Sequence, residues 1–383
     1  MRNKVSYLEH LNQLVKDMPA EVPDDYCKDV IREGEHVFDK LISAKGLEKR
    51  KVLIVGGAGY IGVPLTFYLL KRGYDVKCLD LLLYSNRHCI HGFLGEPGYE
   101  FIYGDMADPN VVQRSLDGVT DVVILAGLVG DPITKLYPKE SNKINDSALV
   151  QLIKNLNGNS LNRVVFISTC SNYGEIPEDA LADESYELKP LSLYAKSKVA
   201  IENEILKLKN KVDFCATVLR FATAFGLSGR MRFDLTVSEF TREMFVNKTI
   251  EVYDADTWRP YCHVRDFARA ISTVLEAPKS RIDFEVFNAG GDINNFTKGM
   301  LVDCIGNCLP DAQVKYVSGG VDRRNYKVDF SKIQNSLYFT PRYSVEDGVS
   351  ELIKALTAGF FADYKTQLNI YRNKKINYIG PSN

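Results

Sequence analysis

The sequence predicts a doubly wound α/β fold, a parallel sheet covered by helices on both faces, followed by a smaller C-terminal portion. Three observations carry this. Short apolar runs alternate with helical segments from residue 51 onward. The first run, Lys51-Val52-Leu53-Ile54-Val55, passes directly into a glycine turn, Gly56-Gly57-Ala58-Gly59-Tyr60-Ile61-Gly62. A chain of 383 residues with 45% apolar content also has core enough for such a sheet and a second, smaller part.

In chain order, residues 1–50 form a charged N-terminal extension with helical patterning: Tyr7, Leu8, Leu11, Leu14 and Val15, then Val30, Val37, Phe38, Leu41 and Ile42. A pair of amphipathic helices packing on the body or on a second subunit is expected there. Strands are predicted near 51–55, 75–80, 99–103, 121–126, 163–169 and 214–219, with helices over about 60–72, 109–117, 142–157 and 193–210. These describe a Rossmann-type sheet spanning 51–220, whose ligand crevice lies at the carboxyl ends of the strands. After residue 220 the spacing becomes irregular, with loops expected at 226–235 and 254–263. Residues 221–360 are therefore assigned mainly to substrate binding, and 361–383 to a tail.

A formal net charge of −1 gives no general attraction to nucleic acid or an anionic membrane, so an anionic ligand must be held by local arginines. No apolar run reaches the roughly 18–20 residues of a membrane span. The eight cysteines are scattered without a Cys-x-x-Cys pair, and no secretory apolar stretch opens the chain. Reduced thiols and a cytoplasmic location are expected. Cys304 and Cys308 share a helical face, but no second pair of ligands accompanies them, so no metal is expected.

Gly56, Gly59 and Gly62 form G-x-x-G-x-x-G after a buried strand and at the start of a helix, the arrangement in which a glycine turn and a helix N-terminus receive a pyrophosphate. Tyr60 and Ile61 lie inside that turn. Asp80 closes the second strand, where a carboxylate accepts from the adenosine ribose diol and repels a 2′-phosphate, so NAD is favoured over NADP. The bland alternative is a surface aspartate ending a strand. Asp105, with Met106 beside it, follows the third strand, where it either accepts from the adenine amino group or caps the next helix.

Tyr194-Ala195-Lys196-Ser197-Lys198 places a phenol and an amine one helical turn apart. A tyrosine hydroxyl is a poor base near neutral pH, with an ordinary pKa of about 10. A nearby cation favours its phenolate. The pair suits proton transfer to and from an alcohol.

On these motifs the chain resembles an extended short-chain dehydrogenase/reductase of the NAD-dependent nucleotide-sugar epimerase/dehydratase family, over roughly residues 50–360. The resemblance implies that Leu125-Ala126-Gly127 lies against the cofactor and that Asn145, the family's helix asparagine, belongs to the cofactor-binding set with them. Counting back from Tyr173-Gly174, Thr169 matches the catalytic Ser/Thr, with Ser168 and Ser171 as alternatives. Relatives that dehydrate sugars carry Asp-Glu after that residue; here Cys170 and Ser171 stand instead, so the carboxylate pair that dehydration needs is missing. Cys170 is either a buried thiol or an acid–base group.

Trp258-Arg259-Pro260-Tyr261-Cys262-His263-Val264-Arg265-Asp266 resembles the segment in which an arginine contacts the substrate diphosphate, a role carried to Arg259, with His263 structural. Arg323 or Arg324 is expected to supply a second phosphate contact. The loop bearing Arg230 and Arg232 is expected to form a lid over the substrate. The resemblance further implies a homodimer through the helices near 142–157 and 193–210, and a nucleotide-diphosphate sugar as substrate. The expected activity is an NAD-dependent C4 epimerase passing through a 4-keto sugar by way of Thr169, Tyr194 and Lys198. The alternatives are a nucleotide-4-ketosugar reductase or C4 dehydrogenase, less readily a dehydratase, and least readily a non-catalytic NAD-binding regulator, which would not need the tyrosine–lysine pair.

Overall fold

The computed structural model describes residues 50–320 and 324–381. The expected helices of the N-terminal extension and the phosphate-binding candidate Arg323 lie outside the described residues.

Seven parallel strands form the central sheet in the order β10-β6-β5-β4-β1-β2-β3. These are β1 (Lys51–Val55), β2 (Asp75–Asp80), β3 (Tyr99–Tyr103), β4 (Asp121–Ile124), β5 (Arg163–Thr169), β6 (Cys215–Phe221) and β10 (Glu285–Ala289). The six strands read from sequence are all present. The seventh was not anticipated: Glu285 and Asn288 interrupt its apolar pattern. Asn288 is nevertheless buried, accepting from the Tyr173 hydroxyl at 2.7 Å and donating to the Ala182 and Asp329 carbonyls. The sheet therefore reaches past residue 220 and recruits a strand from the irregular region.

Helices cover both faces. On one side, α1 (Gly62–Lys71) and α7 (Val264–Glu276) contribute Leu65, Leu69, Phe267, Ile271 and Val274 to one apolar cluster. On the other, α2 (Pro109–Leu116), α4 (Leu149–Leu156) and α5 (Leu193–Leu206) contribute Val112, Leu152, Ile201 and Ile205 to a second. Strands enclosed this way are apolar on both faces, which is why Val52 to Val55 are all buried. The helix expected at 142–157 begins as a π-helical stretch, α3 (Asn142–Ala148), before continuing as α4.

Beyond β6, β7 (Thr223–Phe225), β9 (Trp258–His263) and β11 (Asn295–Thr297) form a three-stranded sheet, while β8 (Thr249–Tyr253) pairs with β12 (Gln313–Val317). The segment 254–263, read as a loop, thus ends in a strand. Its polar and aromatic residues hid it, although Arg259, Tyr261 and Cys262 are all buried. The 226–235 segment is irregular, as expected, and precedes helix α6 (Thr236–Asn247). It is not a free flap: Arg230, Met231, Arg232 and Phe233 are buried, and the Phe233 ring meets Phe361 and Tyr364 edge-on. The last part of the chain is packed as well, with Phe361, Tyr364 and Ile376 buried.

Candidate functional site

The order of the sheet reverses at β1, whose neighbours are β2 on one side and β4 on the other, and a crevice opens at the carboxyl ends of these strands. Gly56 (φ +87°) turns the chain out of β1; a Cβ there would come within 2.8 Å of the Ala126 backbone. A Cβ on Gly62 would approach the Gly57 carbonyl oxygen to 2.4 Å, so this glycine lets the helix start pack on the turn. Gly59 is different. A Cβ on it would meet only the Gly56 carbonyl, at 3.2 Å, which leaves its cleft side open for a ligand to approach the backbone. Tyr60, Ile61, Leu125, Ala126, Gly127 and Met106 line the same cleft.

Asp80 accepts from the Ala58 N–H at 3.0 Å and the Leu82 N–H at 2.8 Å, which fixes both oxygens at the end of β2. Asp105 accepts from the Ala107 N–H at 2.9 Å through Oδ1, while its Oδ2 is buried. This carboxylate lines the cleft with the Tyr378 hydroxyl against it, and an acceptor so placed matches a donor such as the adenine amino group. The glycine cradle, the carboxylate at the strand end and this acceptor beside the cleft together fit NAD.

Asn145 stands back from the cleft. Its Oδ1 accepts from the Leu128 N–H at 2.7 Å and its Nδ2 donates to the Leu128 carbonyl at 2.9 Å. Its amide clamps the loop after β4 from the π-helical turn, the type of irregularity that recurs at functional sites.

At the far end of the cleft stand Tyr194, Lys198 and Thr169. Ser192 caps α5 by accepting from the Ala195 N–H at 3.1 Å, which sets the phase of the helix and points Tyr194 and Lys198 into the crevice. The buried Lys198 ammonium donates to the Ile167 carbonyl at 2.7 Å, and its Nζ lies 5.9 Å from the Tyr194 ring centre. Burial brings this amine down to about 7, with Glu202 opposing the shift. Burial raises the Tyr194 phenol well above its ordinary value; Arg232 and the Thr169 hydroxyl pull toward the phenolate, while Asp131 and Tyr326 push away from it.

The three neighbouring hydroxyls divide. Ser168 donates to Glu202 behind the strand, Ser171 lies 3.1 Å from the Tyr326 hydroxyl, and Thr169 is the one against Tyr194. Cys170 is buried, its Sγ set 3.2 Å from the Arg220 carbonyl and its thiol pushed far up by burial.

The remaining wall comes from several segments. Arg259 is buried, donates to the Trp258 carbonyl at 2.7 Å and lies over the Tyr326 ring at 5.1 Å. Arg324 reaches Asp131 at 3.0 Å. His263 is fully buried, bonded to Glu351 at 2.7 Å and capping α7, and so has a structural part. Arg230, expected at the substrate, lies at the other end, over the Tyr84 ring at 5.0 Å and close enough for its charge to favour the Asp80 carboxylate. Packing of the 226–235 segment onto the Tyr84 region carries it there. Asp131, Arg232, Tyr326, Asn373 and Tyr378 also line the cleft. Arg232 sits in the loop expected as a lid; no local motif marked the others, which come from segments distant from the glycine turn and the tyrosine–lysine pair.

Among the described residues, the seven cysteines are unpaired, no group of three metal-ligating side chains converges, and no helix is long and apolar enough to cross a membrane.

The Asp80 geometry leads to a binding prediction. NADH should bind at least tenfold more tightly than NADPH in a fluorescence titration, and Asp80→Asn should narrow that gap. Burial raises the Asp80 pKa, so the carboxylate is lost on acidification at a higher pH than an exposed aspartate would show. NADH affinity should therefore fall as the pH drops, and the Asn variant should lack this component.

The sequence profile of the NAD dependent epimerase/dehydratase family matches residues 52–290. The UDP-glucose 4-epimerase of Corynebacterium glutamicum is 27% identical over 312 residues, covering 77% of this chain and 92% of that protein. The dTDP-glucose 4,6-dehydratase of Streptomyces niveus is 26% identical over 315 residues, covering 79% and 92%. Among solved structures, MoeE5 in complex with UDP-glucuronic acid and NAD aligns with a TM-score of 0.69 at 25% identity, covering 81% of this chain and 99% of that one.

Proposed function

The chain belongs to the NAD-dependent epimerase/dehydratase family, and from that premise we propose that it is a nucleotide-sugar epimerase acting at C4 of the sugar. The observation that carries this reading is the loop after Thr169. Tyr194, Lys198 and Thr169 meet at the end of the cleft, whereas the two positions that follow Thr169 offer a thiol turned away from the cleft and a serine hydroxyl engaged with Tyr326. The site thus has a group to take and return an alcohol proton, without the acid–base pair that would expel a neighbouring hydroxyl.

When bound, NAD supplies a hydride acceptor and donor. Tyr194 takes the C4 hydroxyl proton, Thr169 hydrogen-bonds the reacting oxygen, and the same tyrosine returns the proton after the keto sugar has turned. Lys198, whose amine burial brings down to about 7, provides a positive charge 5.9 Å from the Tyr194 ring centre while it is protonated. Arg259 and Arg324, which line the cleft, hold the diphosphate in this reading, a task for which a guanidinium's paired donors are suited.

The test is to incubate the purified protein with UDP- and dTDP-hexoses and follow C4 configuration by NMR. Each C4 epimer should give rise to the other without net formation of NADH. A 4-keto-6-deoxy product, or stoichiometric consumption of NADH with a 4-keto sugar, would overturn the proposal.

A further inference from the structure

The segment 372–378 lies beyond the part of the chain that resembles the family, yet it borders the cofactor cleft. Asn373 and Tyr378 line the same cavity as Gly56, Asp80 and Tyr194.

The segment is attached at three points. Asn373 donates from Nδ2 to the Val129 carbonyl at 3.0 Å and from its backbone to Asp234 at 3.2 Å, while its Oδ1 accepts from Arg230 at 2.8 Å. The same guanidinium also donates to the Arg372 carbonyl at 3.3 Å. Ile376 is buried in the apolar cluster that includes Met106, Ile133 and Ile144. Tyr378 lies against Asp105; burial and the neighbouring carboxylate both hold its phenol protonated.

Val129 belongs to the loop after β4 and Asp105 to the loop after β3, so the chain passes from one to the other of the loops that border the cleft. Asn373, Ile376 and Tyr378 face inward, while Lys374, Lys375 and Asn377 are exposed. This alternation suits a short cover that is apolar and hydrogen-bonding beneath and charged above.

We propose that residues 372–378 are a strap over the outer side of the cofactor cleft, which retains NAD by closing the side facing Asp80 and Asp105. Asn373 anchors Arg230 beside the ribose carboxylate, and Tyr378 sets its hydroxyl against Asp105. Exchange of the dinucleotide then requires this segment to lift. The strap depends on NAD being the cofactor and not on which sugar carbon is inverted, so it stands or falls separately from the C4 assignment.

Lys374 and Lys375 make the strap readable in the unaltered protein. Trypsin cleavage there, followed by mass spectrometry of the C-terminal fragment, should be at least tenfold slower with NAD bound than after its removal on charcoal. Equal rates would overturn the proposal. In parallel, Asn373→Ala/Tyr378→Ala should release NADH at least tenfold faster than the wild type in stopped-flow fluorescence, with unchanged far-ultraviolet circular dichroism. Wild-type release from this folded variant would also overturn it. Should the variant fail to fold, the protease comparison on the wild-type chain decides.

Discussion

Tyr194→Phe should lower kcat by roughly 10²–10⁴-fold, the range associated with loss of a positioned general acid–base group. The substitution removes one oxygen and leaves the ring, so the packing of α5 against β5 and the Lys198 bond to the Ile167 carbonyl should remain. Bound NAD should likewise be retained, since the glycine turn, Asp80 and Asp105 are all at the other part of the cleft. Thr169 cannot take over, because an alcohol has no accessible anionic form near neutrality; it serves by hydrogen bonding. The activity that depends on the phenolate should rise with pH while Lys198 is protonated and fall once its amine, which burial brings down to about 7, loses the charge that supports the phenolate, giving a bell-shaped profile. Steady-state kinetics with the accepted nucleotide sugar, together with the cofactor content of the purified variant, check both parts. Full activity in Tyr194→Phe would mean that the proton passes through another group, and Asp131, which lines the same cavity, would be the first to test.

The parts legible in the sequence were those set by contiguous residues. A strand enclosed by helices on both faces is a short apolar run, which is why β1 to β6 could be placed. The glycine turn and the tyrosine–lysine pair carry their geometry in fixed spacings. Strand β10 was missed because Glu285 and Asn288 break its run, although tertiary contacts satisfy the asparagine. Strand β9 was missed because Trp-Arg-Pro-Tyr-Cys-His has no apolar periodicity. Site residues brought from a distance left no trace of their position: Arg230 reads as a substrate arginine until the packing of its segment puts it near Asp80. Asn145 reads as a cofactor residue, while the bonds of its amide to Leu128, which hold the loop after β4, appear only in three dimensions. The choice among Ser168, Thr169 and Ser171 needed three dimensions for the same reason. Adjacent hydroxyls at a strand end point different ways, and only the surrounding partners say which way each faces.

The largest expected effect on stability lies behind the site, at Glu202. Its carboxylate is buried and accepts from Arg220, with Nη2 at 2.9 Å and Nε at 3.1 Å, from Asn172 at 2.6 Å, and from Ser168. The Arg220 side chain is only 6% exposed and also donates to the Tyr173 hydroxyl and the Glu184 carbonyl. Glu202→Ala would leave this guanidinium without its counter-charge in the interior, a change expected to cost about 3–5 kcal/mol. The measurement is the urea midpoint of the variant against the wild type. Because the cost comes from the stranded charge and not from the pair itself, Glu202→Leu combined with Arg220→Met should recover much of the loss. A double variant as unstable as Glu202→Ala would show that the packing around the pair, and not the charge, was lost. The network also reaches the chemistry, since Glu202 is the charge that opposes the lowering of the Lys198 pKa. Without it the amine should be neutral over more of the pH range, and the positive charge below Tyr194 should weaken. The double variant should therefore regain stability without regaining full activity.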